Sequence, residues 1–251
     1  MSFLIGLLAG IFGGLVGLGG GVIMIPLMVS VLKMDQHRAH GTSLVALVFT
    51  GLSGAVAYGM KGTVDVTAAL LLAATAMITA RAGARSAHAL PEWKLKRVFG
   101  GFLFFVSILL LVKSYLPHMH GLETGWNKVA VLLLTGVFTG FVSGMMGVGG
   151  GSLMVPAMVL LAGFEQHLAQ GSSLLAMVPA GAVGAYTHWK LGNVRSNILG
   201  GLIPGILIGT YGGGVFAHAL SEIVLRYLFA AVLIWTGIRY LRAKKPQPAA
   251  A

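Results

Sequence analysis

GGLVGLGGGVIMIP, residues 13–26, decides how the rest of the chain is read. The pattern returns at residues 140–156 as GFVSGMMGVGGGSLMVP, so that Gly19, Gly20 and Gly21 match Gly149, Gly150 and Gly151 at an offset of 130. In each copy a proline, Pro26 or Pro156, stands five residues after the triple glycine. Both runs are apolar, and each glycine inside a helix costs about 1 kcal/mol against alanine. Three in a row therefore predict a broken helix. At membrane depth, the N–H and C=O groups freed by such a break persist only where they are buried in protein or line a wet cavity. The two breaks are thus the candidate functional centre.

Composition explains why membrane depth is the setting. Of 251 residues, 57% are hydrophobic and only 9% are charged, against about 25% charged in a soluble domain. Residues 3–32, 129–164 and 196–221 carry no charge at all, and about 20 apolar residues span the hydrocarbon. The pattern is that of a polytopic all-α membrane protein. No Lys or Arg precedes the first apolar run, which argues against a secretory signal. The formal charge of +11 comes from basic residues between spans, as membrane orientation requires, so nucleic acid is not an expected partner. There is no cysteine, and all six acids fall in loops or at span ends. Disulfides, Cys-based metal sites and a carboxylate relay inside the membrane are not expected, and no cofactor is implied.

The 130-residue offset extends far beyond the glycines. Gln36-His37 matches Gln166-His167, Gly41-Thr42-Ser43-Leu44 matches Gly171-Ser172-Ser173-Leu174, and Ala87-His88-Ala89-Leu90 matches Ala217-His218-Ala219-Leu220. The chain divides into a first transmembrane repeat, 1–115, a connecting loop, 116–127, a second repeat, 128–243, and a polar tail, 244–251. Each repeat reads as a glycine-broken segment, at about 3–33 and 129–163, followed by three spans. Counting apolar segments gives about eight transmembrane helices. Thirty residues of helix would measure about 45 Å, too long for one upright crossing of a core about 30 Å thick, so each broken segment is expected to fold back as a hairpin. The halves are then inverted. With the C-terminus in the cytoplasm, only Lys61, Lys113, Lys128 and Arg226 of the 17 Lys and Arg residues lie outside. A parallel duplication would split them almost evenly, against the orientation rule.

A helix restarting at Val22 or Ser152 points unpaired N–H groups and a positive dipole end into the cavity, where an oxyanion can bind without a fixed lysine. In transporters built from inverted repeats, two such half-helices meet near the midplane. The expected substrate-binding residues are Gly19, Gly20, Gly21, Thr42, Ser43, Gly149, Gly150, Gly151, Ser152, Ser172 and Ser173. The four hydroxyls at 42–43 and 172–173 suit either pathway lining or bonding to their own helix. His37 and His167 occupy matching turns and are candidates for proton coupling, since histidine titrates in the physiological range. Close helix packing accounts for Gly10, Gly14 and Gly17, and for Gly140 and Gly144, and the prolines are expected to bend the chain after each half-helix. A dinucleotide site is excluded because no strand precedes the glycines.

Two GxGGG-x4-P boxes, at Gly17–Pro26 and Gly147–Pro156, each followed by a Gly-Thr/Ser-Ser-Leu span, resemble the TauE/SafE sulfite-exporter family of membrane transporters. The resemblance covers nearly the whole chain. It implies movement of sulfite, an organosulfonate or a related small sulfur-containing anion across the cytoplasmic membrane, with homo-oligomers possible. The alternatives are a passive anion channel and, from another class, a membrane-embedded enzyme or accessory subunit. The last would need convergent acids, a metal cluster or a nucleophile–base pair, and the sequence shows none.

Overall fold

A computed structural model describes residues 1–86, 92–112 and 125–243. The matched stretch 87–90, most of the 116–127 connection and the 244–251 tail lie outside the described residues. Those described form helices and turns only: α1 (Ser2–Val16), α2 (Gly21–Val31), α3 (Gln36–Gly59), α4 (Val66–Ser86), α5 (Glu92–Val112), α6 (Gly125–Met146), α7 (Gly151–Leu160), α8 (Gln166–Lys190), a 3₁₀ turn (Ser196–Ile198), α9 (Leu199–Ala217) and α10 (Glu222–Leu241). Six among them are long and apolar enough to cross a membrane: α3, α4, α6, α8, α9 with its leading turn, and α10. The chain is a multi-pass membrane protein.

The breaks fall where the glycines are. Helix α1 ends at Gly17, and Gly19 and Gly20 take φ of 85° and 76° before α2 begins at Gly21. Those are left-handed conformations that cost other residues about 1–2 kcal/mol. By Gly20 the chain has turned back onto α1, because a methyl there would overlap the Ala9 carbonyl. The second break repeats the reversal, with Gly149 at φ 94° and Gly150 against Thr139, the residue matching Ala9. Each short helix starts one residue earlier than Val22 or Ser152. Pro26 and Pro156 lie inside α2 and α7 rather than after them. Only one helical bond, to the carbonyl four residues back, is lost there.

Packing crosses between the halves. Glycines on α1 meet α9 backbone to backbone, with Gly10 against Ile206 and Gly14 against Thr210 and Gly214, so these two helices run parallel. In the matching pair, Gly136 meets Leu72, Gly140 meets Ala76 and Gly144 meets Ala80, so α6 runs parallel to α4. Small residues permit such approach where lipid offers no hydrophobic drive. The corresponding helices α3 and α8 run antiparallel: Gly51 lies near Leu174 and Gly184 near Leu44. So do α5 and α10, with Gly100 near Tyr240 and Gly237 near Phe104.

These directions sort the charges. Among the described residues, eleven Lys and Arg sit toward the end holding the starts of α3, α5 and α9, while Lys61, Lys128 and Arg226 sit toward the other.

Candidate functional site

The two hairpin tips meet beside Leu47 and Met177, midway along α3 and α8. A methyl on Gly21 would lie 2.7 Å from the carbonyl oxygens of both Gly147 and Val148, and one on Gly151 would overlap the Gly17 carbonyl. Only glycine permits this contact from either side. Among the described residues, the backbone N–H groups of Leu18 to Val22 and of Val148 to Ser152 have no acceptor. Helical bonding resumes at Ile23 and Met24, both to Gly20 O, and at Leu153 and Met154, both to Gly150 O. Two runs of five such donors, each at a positive helix end, therefore lie in touching, buried tips with no Lys or Arg in either. Gly19, Gly20, Gly21, Gly149, Gly150, Gly151 and Ser152 all belong to this centre. Ser152 Oγ is buried and 3.5 Å from Gly149 O.

The Gly-Thr/Ser-Ser triplets do different work: each clamps the backbone of other elements. Ser43 Oγ lies 2.7 Å from the carbonyl oxygens of both His40 and Gly147, and Ser173 Oγ lies 2.8 Å from Gln170 O and 3.2 Å from Gly17 O. Each hydroxyl thus stands between a carbonyl of its own helix and one of the opposing tip, within hydrogen-bond reach of both. Thr42 Oγ1 accepts from the Arg195 N–H at 2.9 Å, and Ser172 Oγ accepts from the Asp65 N–H at 2.8 Å. Gly41 and Gly171 admit those loops, since a methyl at either would overlap the carbonyl of Asn193 or Thr63. Each half thus holds the other's tip and loop.

A small cavity opens at the second tip, lined by Gly149, Gly150, Thr139, Ser143, Met154 and Met177 among others, with room at its centre for about one water-sized group. Thr139 is 1% exposed, and its Oγ1 has no hydrogen-bond partner among the described residues. Sequence reasoning missed Thr139 and Ser143. Their one signal is a mismatch between the copies, because the first half has Ala9 and Gly13 at those positions.

The sulfite exporter TauE/SafE family model matches residues 2–249. The chain belongs to that family. It is 28% identical to a probable membrane transporter protein, YunE, of Bacillus subtilis, over 96% of this chain and 98% of the relative. It is also 28% identical to a probable membrane transporter protein of Xylella fastidiosa, over 90% of this chain and 88% of that one. An Arabidopsis thaliana protein named sulfite exporter TauE/SafE family protein 5 matches 45% of this chain, again at 28% identity. No solved structure matches. As a family member the chain is a membrane transporter.

In this TauE/SafE protein the two candidate histidines are placed differently. His37 is exposed at the start of α3. His167 is largely buried and pairs with Glu222, the acid that opens α10. Glu222 also accepts from the N–H groups of Gln166 and His167, at 2.6 and 3.2 Å, and so caps α8. Tyr58 is fully buried, and its hydroxyl lies 2.9 Å from Gly14 O and 2.8 Å from the Gln170 amide. One phenolic proton cannot serve two acceptors. With the amide turned over, Gln170 Nε2 donates to Tyr58 and Tyr58 donates to Gly14.

A prediction follows from the clamps. Ser43→Ala and Ser173→Ala should each lower stability by about 1 kcal/mol, the usual net effect of one buried hydrogen bond. Both should slow transport, because the tip loses its tie. Thermal unfolding and flux of the two variants check this, and unchanged values for both would reduce the tie to an incidental contact.

Proposed function

We propose that the protein is a secondary transporter moving a small sulfur-containing anion, sulfite or an organosulfonate, across the cytoplasmic membrane. The anion is held by the backbone N–H groups of the paired tips. The observation that carries this reading is the contact of two glycine-built helix starts, each with five free donors, midway through a membrane bundle. A desolvated hydrogen bond to a charged group contributes about 1.5–3 kcal/mol, so a few donors suffice. The absence of Lys and Arg from both tips leaves no fixed counter-charge to trap the anion. The relatives are named membrane transporters, and we read this chain as a transporter rather than an enzyme.

The test is a substrate panel on purified protein in liposomes: sulfite, thiosulfate, sulfate, sulfoacetate and taurine. Counterflow of sulfite or a sulfonate, with sulfate and an empty-vesicle control left behind, supports the reading. Flux of none of them rejects it.

Alternating access would come from inversion of repeats 1–115 and 128–243, supported by the antiparallel course of α3 against α8 and of α5 against α10. The cation-rich end would face the cytoplasm. A reporter fused after residue 251 should then read cytoplasmic, and one placed within residues 116–127 external. Both reading on the same side would reject the inverted arrangement, since an odd number of crossings must separate them.

A further inference from the structure

At the cation-poor end, the beginnings of α8 and α10 and the end of α9 bring His167, Glu222 and His218 together. The chemistry of their contacts fixes where protons must be. His167 Nε2 lies 3.1 Å from the carbonyl oxygen of Ala217, which can only accept, so this nitrogen carries hydrogen. His167 Nδ1 faces the Glu222 carboxylate. A neutral ring protonated at Nε2 would there set one lone pair against another. The contact therefore holds one further proton between Nδ1 and the carboxylate.

His218 stands next in line, its ring centroid 4.9 Å from that of His167 and 4.7 Å from that of Tyr58. Its Nδ1–H donates to Gly214 O at 2.8 Å, while Nε2 lies 2.8 Å from Thr63 Oγ1. Thr63 Oγ1 is also 3.0 Å from Tyr58 O. When His218 is neutral, the Thr63 hydroxyl donates to Nε2. When His218 is charged, Nε2–H donates to Thr63, whose own proton turns to the Tyr58 carbonyl. Burial holds His218 below the usual imidazole range, His167 and Lys61 push it the same way, and the Gly214 bond and Glu222 oppose them. It is thus neutral at neutral pH, with Nε2 accepting from the Thr63 hydroxyl. The other charged groups around the cluster are Glu165 before α8 and Arg226 one turn along α10.

The cluster lies between water and the sealed interior, with His218 itself partly exposed. The Glu222 side chain is 41% exposed and that of His167 is 13% exposed, whereas Tyr58 and Gln170 are sealed. Tyr58 bonds Gly14 on the arm of the first hairpin, and Gln170 packs on Gly17 at its tip. Ring packing of His218 on Tyr58 thus places the cluster one residue away from the arm of the first hairpin.

We propose that the His167–Glu222 pair, packed against His218, is the proton site that couples a proton gradient to anion movement. The proton enters at the half-exposed carboxylate and sits between Glu222 and His167 Nδ1, beside the packed ring of His218. Its loss from the first position opens the link between α8 and α10, leaving only the bonds from the Gln166 and His167 N–H groups. The repeat places His37, His88 and Glu92 at the matching positions; His88 and the Glu92 side chain lie outside the described residues. The coupling role rests on the transport reading above, and the experiment separates the two.

Purified protein in liposomes is given radiolabelled sulfoacetate or thiosulfate, both fully ionised above about pH 6, so that any proton dependence belongs to the protein. Wild type should accumulate the probe about tenfold more with an imposed pH gradient than without. Glu222→Gln keeps a side chain that can accept from α8 and donate to Nδ1, but does not titrate. It and His167→Gln should lose the gradient's effect and keep counterflow at equal pH. Gradient-driven accumulation retained in both variants, or lost only in proportion to counterflow, overturns the proposal. Wild-type counterflow with no response to the gradient also overturns it, leaving the transport reading intact. Absence of counterflow rejects the transport reading instead, and histidine NMR then decides the proton site. The signal missing in His167→Gln should titrate with a midpoint that Glu222→Gln moves by about one pH unit or more. An unmoved midpoint overturns the site.

Discussion

Gly151→Ala is expected to abolish transport, lowering anion flux by about a hundredfold or more while the protein still inserts. One added methyl has this reach because of where Gly151 lies. Its Cβ position is already occupied by the carbonyl of Gly17 on the opposing tip, and Leu18 Cα lies 2.9 Å away. These are backbone atoms of a turn, so no rotamer change can clear them. The tips must separate, and the N–H groups they present move with them. A displacement of about 1 Å at a site that works by positioning costs about a hundredfold. Gly21→Ala should act similarly from the other side, against Gly147 O and Val148 O. Gly200, on α9 with nothing near its Cβ position, is the control. Gly200→Ala should leave flux unchanged and, as alanine is the better helix former, should not lower stability. Counterflow of sulfite in liposomes at equal protein density makes the comparison. Wild-type flux in Gly151→Ala would mean that the tips need not touch for the protein to work.

The breaks were readable in the sequence because glycine triplets in apolar runs have one strong physical consequence, and their repetition at a fixed offset excluded accident. The helices were readable for a similar reason, since spans need length and low charge. The exchange of partners was not. The small-residue face of α1, with Gly6, Gly10 and Gly14, fits α9, but such a face would fit other glycine- or alanine-lined helices equally well, and pattern alone cannot choose between them. Nor could the serines be assigned. A hydroxyl beside a glycine can face a substrate or a carbonyl, and Ser43 and Ser173 face carbonyls brought from more than 100 residues away. The partner of His167 was hidden in the same manner. Glu222 lies 55 residues further along, and only the meeting of two helix starts joins them. Thr139 escaped notice because a lone threonine in a span usually bonds its own helix, as Thr50 and Thr236 do here.

That exception makes Thr139→Val the most revealing single substitution, since it should stabilise the protein and impair it together. Valine and threonine have nearly the same shape, so packing against Gly150 is kept. What disappears is a buried hydroxyl without a partner among the described residues. An unsatisfied buried polar group costs about 1–3 kcal/mol. Its removal should therefore raise the melting temperature by about 2–4 °C for each kcal/mol recovered. A protein keeps such a liability where the group serves function, a common origin of opposition between stability and activity. If the hydroxyl is the donor that completes an anion's shell at the second tip, the same change should weaken anion affinity about ten- to a hundredfold, the equivalent of one charge-assisted hydrogen bond. Thr139→Ser, which keeps the hydroxyl, should restore affinity. Ser143→Ala should weaken affinity without the gain in stability, because Ser143 is only half-buried. Thermal unfolding in detergent and the concentration dependence of sulfite counterflow read the two effects separately. A stabilised Thr139→Val that transports with wild-type affinity would remove the threonine from the site and leave the backbone N–H groups to hold the anion alone. A destabilised one would show that its hydroxyl is already satisfied.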